Sequence, residues 1–201
     1  MLRLENIEWT NTWRENATEG TPRVLLIGDS ITVGYRSIVN RNLEGALRVT
    51  AFATSKSIAN PYLVEEIALL GKQEGNAYQV VQFNNGLHGG GLTDAEYAAL
   101  YEEVLYKTVA LFPQARFQLA LSTPVSVNGD TASYGERNDQ VIRWNDCVRK
   151  IGEKTGFSVV DLYSIVYGNK DIRTADGYHY TRDGYELLGR AVADAILANR
   201  K

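Results

Sequence analysis

Three residues of this chain combine types and settings that suit acyl-transfer chemistry. Ser30 ends the tripeptide Gly-Asp-Ser in "LLIGDSITVGY", between an apolar run and a helical pattern. Gly28 permits a tight exit from a strand, and Asp29 can cap the helix that follows. Ser30 then stands at a helix N-terminus, where unpaired N–H groups and the helix dipole favour developing negative charge. Taken alone, the segment also reads as a plain helix cap. Asp176 and His179 change the balance, because "DGYHYT" sets a carboxylate three residues before an imidazole. Within one turn the carboxylate can bond one ring nitrogen, fix the tautomer and leave the other nitrogen free as a base. An isolated pair of this kind is equally a turn Asp beside a partly exposed His.

The elements that must bring these residues together show as alternating runs. β-rich stretches occupy 23–28, 47–52, 78–84, 116–122 and 158–162, and helical patterns lie between and after them. Most of the strands are near-continuous apolar runs, the mark of parallel strands covered on both faces. Strict alternation implies a parallel sheet with right-handed crossovers and helices on either side. Asn60 and Pro61 read as a helix start that Gly71 closes, and Thr93 with Glu96 as a capping box. Tyr97, Tyr101, Val104, Leu105 and Phe112 form one apolar stripe, and Val141, Trp144, Val148 and Ile151 the next. Asp183 and Glu186 read as caps of the last helix, whose stripe is Tyr185, Leu188, Val192 and Ile196.

In the strand order 2-1-3-4-5, Ser30 leaves the first strand at the switch point, flanked by the loops after the second and third. The fifth strand then lies roughly 14 Å away. The segment from Tyr163 to Thr181 is long enough to carry His179 across, and long loops in compact domains are usually functional. The 201 residues form a single domain, with residues 1–21 as an N-terminal extension that packs outside the sheet, anchored by Trp9 and Trp13.

Bulk properties exclude several classes. A net charge of −3 with no basic run gives no footprint for nucleic acid or an anionic membrane. No stretch is long and apolar enough to span a bilayer, and the first residues lack the apolar core of a signal peptide, so the expectation is cytoplasmic. The pattern "NAT" at Asn16 is disregarded on the same ground. One cysteine, Cys147, rules out an intrachain disulfide. It reads as a reduced core or boundary thiol. Two distant histidines and that cysteine make no metal cluster, and "GDSITVG" lacks the Lys of a phosphate-binding loop. No cofactor or metal is expected.

Together, "LLIGDSITVGY" and "DGYHYTRDGYELLG" resemble the first and last blocks of the SGNH hydrolases, the GDSL-type esterases and lipases, over residues 22–199. The resemblance implies a flavodoxin-like three-layer α/β/α sandwich with a five-stranded parallel sheet, order 2-1-3-4-5. It also implies Ser30 as nucleophile and Asp176 with His179 as the acid–base pair. The family's middle blocks supply a Gly after the second strand and an Asn in a GxND motif after the third. Both donate to the oxyanion, beside the backbone N–H of the nucleophile, here Ser30.

This sequence departs from both middle blocks. In "FNNGLHGGG", laying Gly86 to Gly89 over GxND puts His88 in the place of the Asn. A neutral imidazole N–H could donate as an amide does. The other register brings Asn84 or Asn85 nearest the reacting carbonyl, and an uninvolved, hydrogen-bonded His88 is the third reading. "HGGG" also matches an oxyanion motif of α/β-hydrolase lipases, but there it precedes the nucleophile and accompanies a GxSxG elbow that this chain lacks. After the second strand, "ATSKSIANP" has no Gly. The overlay places Lys56 there, with Ser55 and Ser57 as neighbouring amides.

The leading reading is a serine esterase acting on a small-molecule ester, with activity rising with pH as His179 loses its proton. Tyr35, Tyr178, Tyr180 and the polar segment "STPVSVNGDTASYGERND" could line a site for a small or sugar-linked acyl group, such as a carbohydrate O-acetyl. A thioesterase or lysophospholipase of the same fold, and a binding module without turnover, are the alternatives. The oligomeric state does not follow from the sequence.

Overall fold

Five runs rich in Val, Leu, Ile and Phe become the parallel strands, because only a strand buried on both faces can hide side chains that point both ways. The computed structural model describes residues 4, 6–15, 20–43, 45–89 and 91–200. In chain order the elements are β1 (Thr10–Arg14), β2 (Arg23–Gly28), α1 (Ser30–Asn42), β3 (Arg48–Thr54), α2 (Leu63–Gln73), β4 (Tyr78–Phe83), α3 (Asp94–Leu111) and β5 (Arg116–Ala120). A short hairpin, β6 (Ser126–Val127) and β7 (Asp130–Tyr134), precedes α4 (Glu136–Thr155). The chain continues through β8 (Ser158–Val160), α5 (Leu162–Val166), a 3₁₀ turn (Lys170–Ile172) and α6 (Arg182–Asn199).

The main sheet runs β1-β3-β2-β4-β5-β8, so it has six strands and is mixed rather than a five-stranded parallel sheet. The five parallel strands lie in one block, and β1 joins its edge antiparallel, with Thr10 opposite Thr54 and Arg14 opposite Thr50. The N-terminal extension therefore lies in the sheet, not outside it. The edge of β3 offers unpaired backbone groups, and a strand laid on it satisfies them. Thr54 Oγ1 and the Ser55 amide both donate to the Trp9 carbonyl, and Arg36 of α1 lies 4.3 Å from the Trp13 ring centroid. Residues 1–3, 5 and 16–19 of the extension, Asn16 included, lie outside the described residues.

Helices cover both faces. On one side Ile67, Tyr97, Tyr101, Leu105, Trp144 and Val148 from α2, α3 and α4 pack on the sheet. On the other, Ile31, Tyr35, Val39, Leu188, Val192 and Ile196 from α1 and α6 do so. The capping box forms, with Thr93 Oγ1 accepting from the Glu96 amide and the Thr93 amide donating to Glu96. Two other helix ends differ from expectation. Asn60 accepts from the Tyr62 amide but sends its own amide to Glu8, so α2 starts at Leu63 without a side-chain cap. Gly71 lies inside that helix, where a Cβ would meet the Phe112 ring at 2.7 Å, so packing and not termination selects it. Thr181 stands at the N-cap of α6 without a side-chain capping bond, and Glu186 pairs with Arg41 of α1. Cys147 is a free thiol, half-buried on α4.

The contact of α1 with α6 matters most for the site, because Ser30 begins one helix and His179 precedes the other. Glycines set its closeness. A Cβ on Gly189 would lie 2.5 Å from Ile38 Cγ2, and one on Gly34 2.1 Å from the Tyr185 ring. Gly189→Ala should therefore destabilise the fold by about 1–3 kcal/mol through overpacking. A urea midpoint equal to that of the wild type would refute this account of the helix pair. Among the described residues, no helix is long and apolar enough to cross a membrane.

Candidate active site

Ser30 reaches its position through a tight turn at Gly28. A Cβ on Gly28 would lie 2.1 Å from Thr32 Oγ1, so the strand can exit directly into α1 only at a glycine. Asp29 is the N-cap, its Oδ1 accepting from the Ile31 amide at 2.9 Å. Its Oδ2 is buried with no hydrogen-bond partner, and only 3% of the residue is exposed. Burial raises the Asp29 carboxyl above the usual range, against the opposing pull of His88, the Ile31 N–H, His179 and its own N–H. A buried carboxyl group thus lies next to the serine, in the field of both histidines of the chain.

The second half of the site is a tight loop before α6. The Thr174 amide donates to the His179 carbonyl, and Arg173 bridges Tyr180. Asp176 Oδ1 accepts from the Tyr178 amide, the His179 amide and Thr174 Oγ1, at 2.8, 2.9 and 2.9 Å. Its Oδ2 lies 2.7 Å from His179 Nδ1. Burial pushes the Asp176 carboxyl up, but these four donors outweigh it and hold the group well below the usual carboxylate range. With Nδ1–H donating to Asp176, Nε2 is left to accept, and it lies 2.8 Å from Ser30 Oγ. Asp176, His179 and Ser30 therefore stand in one line of hydrogen bonds. The crossing segment is not one long loop: α5 and the 3₁₀ turn stiffen it.

Two straps fix that loop from the side of the β6–β7 hairpin. The Ser126 amide donates to Gly177 O at 2.9 Å and the Gly129 amide to Ala175 O at 2.7 Å. Arg173 Nη1 and Tyr180 Oη both donate to Pro124 O. Most of the polar segment 122–139 is thus scaffold for the loop. The hairpin was signalled by the Asn128-Gly129 pair, a two-residue turn dipeptide between short polar runs.

Ser30 and His179 open onto a pocket of about 470 Å³ lined also by Leu87, His88, Gly89, Arg137 and Tyr178. His88 therefore shares this pocket with the serine. The other two middle-block assignments do not fit the geometry. The Lys56 amide donates to Thr54 Oγ1, and its Nζ lies 3.1 Å from both Glu66 of α2 and Thr10 of β1. The Asn84 side chain donates to Ala120 O and Ser122 Oγ, which ties the end of β4 to that of β5. Both are buried and their donors are spent inside the fold. Asn85 sends its amide to Lys56 O, linking the two loops. The Ser55 amide is taken by Trp9 O, so Ser57 is the remaining candidate of its segment. Ser57 packs so closely that a Cβ on Gly89 would lie 2.7 Å from its own. Of "HGGG", Gly90 lies outside the described residues.

Of the three tyrosines considered for the site, only Tyr178 faces the pocket. Tyr35 is buried and bonded to Thr32 and Gln82, and Tyr180 is buried against Pro124. Of the polar segment expected to line the site, Arg137 in the first turn of α4 does reach the pocket, though the sequence reading did not single it out.

No family model and no curated protein sequence matches this chain. Solved structures do. A carbohydrate acetylesterase from Sinorhizobium meliloti aligns with TM-score 0.71 and 14% identity, over 88% of this chain and 99% of that one. An acetyl xylan esterase aligns with TM-score 0.67 and 20% identity, over 87% and 99%. A protein assigned to the SGNH hydrolases, from Slackia heliotrinireducens, aligns with TM-score 0.67 and 18% identity, over 90% and 100%. At these identities the likeness is one of fold.

Proposed function

We propose that this chain, which has the fold of SGNH hydrolases, is a serine esterase of small acyl esters. The observation that carries the reading is the Asp176, His179 and Ser30 line, with 2.7 and 2.8 Å links, opening onto a shared pocket. His179 Nε2 takes the proton of Ser30 Oγ–H as Oγ attacks the ester carbonyl. The oxyanion forms at the N-terminus of α1, where the Ser30 N–H and helix dipole receive it. His88 is the side-chain donor, standing where the family pattern has an amide, and the Ser57 amide is the third. His179 then protonates the leaving alkoxide, and water repeats the cycle to release the acid.

An open pocket bordered by Leu87 and Tyr178 suits a short acyl group on a polar alcohol. Two of the fold relatives are described as acting on acetylated carbohydrates, which supports a sugar O-acetyl as the substrate class. Ser30 should form a single stoichiometric adduct with a fluorophosphonate, read by intact mass, and Ser30→Ala should form none. No adduct on folded wild type would overturn the esterase reading and leave a ligand-binding pocket in its place.

A further inference from the structure

The turn after β4 is held at three consecutive carbonyls. Tyr97 Oη donates to Asn85 O at 2.7 Å. Arg137 Nη2 donates to Gly86 O at 3.1 Å and to Leu87 O at 2.8 Å. The donors belong to one stack. The Tyr97 and Trp144 rings lie parallel, 4.0 Å apart, and the Arg137 guanidinium sits 5.0 Å from the Trp144 centroid on α4. Arg137 also bonds Gln140, which donates to Leu92 O at the far end of the same loop. Gly86 admits this approach, since a Cβ there would meet Ser122 Oγ at 2.1 Å and Tyr97 Oη at 3.3 Å. The next residue along the turn is His88.

We propose that Arg137 is a positioning residue for the oxyanion donor: with Tyr97 it turns the carbonyls of residues 85–87 toward α3 and α4, so that His88 is held facing Ser30. The inference rests on the esterase reading above. A free carbonyl oxygen at the pocket would repel an oxyanion, whereas one engaged by the Arg137 or Tyr97 donor is neutralised and fixed, which sets the turn that carries His88. A planar guanidinium suits the task because one nitrogen can serve two adjacent carbonyls in a fixed fork, which a lysine ammonium on a flexible stem does not reproduce. Its position 5.0 Å over the Trp144 ring adds a cation–π contact that helps hold the group in place.

Fluorophosphonate labelling of wild type comes first, since an unlabelled Ser30 removes the esterase reading and this inference with it. With Ser30 labelled, Arg137→Ala should lower kcat roughly 10- to 100-fold at nearly unchanged KM, the scale of a misplaced catalytic group. Ethylguanidinium added to Arg137→Ala should restore part of kcat, and Arg137→Lys should keep most of the deficit. His88→Ala should lose roughly 100- to 1,000-fold. The double variant should lose no more than His88→Ala alone, because Arg137 acts through His88. A raised KM at unchanged kcat would make Arg137 a substrate ligand and overturn the proposal. Losses that add in the double variant, or a wild-type kcat in either single variant, would overturn it as well.

Discussion

Asp176→Asn should lower kcat about 10,000-fold while the protein stays folded. The reason lies in how the carboxylate is held. Its Oδ1 accepts from three donors, the amides of Tyr178 and His179 and the Thr174 hydroxyl. An asparagine must place its own oxygen there, which directs its NH₂ at His179 Nδ1. Two donors cannot face each other, so the imidazole proton moves to Nε2 and points at Ser30 Oγ. The ring is then in the wrong tautomer to accept the serine proton. His179→Ala removes the base outright and should cost at least as much. Steady-state kinetics beside thermal melts decide the matter, and an Asp176→Asn enzyme within tenfold of wild type would sink the tautomer argument.

The same carboxylate links to stability with a definite sign. Its folded pKa is depressed, so its contribution is present above the ordinary carboxylate value of about 3.9 and is lost as pH falls through the folded value. The group is half-exposed, so this contribution is small. Asp176 nevertheless stays ionised throughout the range in which the enzyme would work.

The strands were readable from sequence because a parallel strand must hide both faces, and runs such as "RVLLIG" have no other use. The stripe of Val141, Trp144, Val148 and Ile151 was readable because helical spacing alone puts those residues on one face. β1 was not, since "TNTWR" has little to bury and becomes a strand only because β3 offers it an edge. The helix ends at Gly71 and Glu186 were misread because a residue type names a local role, while Phe112 and Arg41 decide the tertiary one.

The site divides along the same line. Ser30 and the Asp176 to His179 turn are local geometry, so they could be singled out from a few residues each, and the structure brings them within hydrogen-bond distance. An oxyanion donor is different, because what counts is whether an N–H is still available. Lys56 and Asn84 have the right positions along the chain, but Thr54, Ala120 and Ser122 have already taken their hydrogens. Arg137 lies about fifty residues from the carbonyls it binds, and nothing in its neighbourhood announces that.

Gly177→Ala should be the most damaging single-methyl change in the loop that carries Asp176 and His179. Gly177 has φ +82°, a conformation that strains any L-residue by about 1–3 kcal/mol. A Cβ there would also lie 2.3 Å from Ser126 O, a backbone atom of the β6–β7 hairpin. A flexible side chain could swing aside, but this oxygen belongs to the strap that fixes the loop. The loop must therefore lift, and Asp176 and His179 move with it. A shift near 1 Å at a reacting group can cost about 100-fold in rate, so kcat should fall by at least that much. Gly156→Ala separates the two effects. Gly156 has φ +73° at the end of α4 with nothing within 4 Å of a Cβ, so it carries the strain without the collision. That variant should melt earlier yet keep its kcat. If Gly177→Ala also kept a wild-type kcat, the hairpin would be a passive neighbour of the loop, and the 2.8 Å contact between His179 and Ser30 would not depend on it.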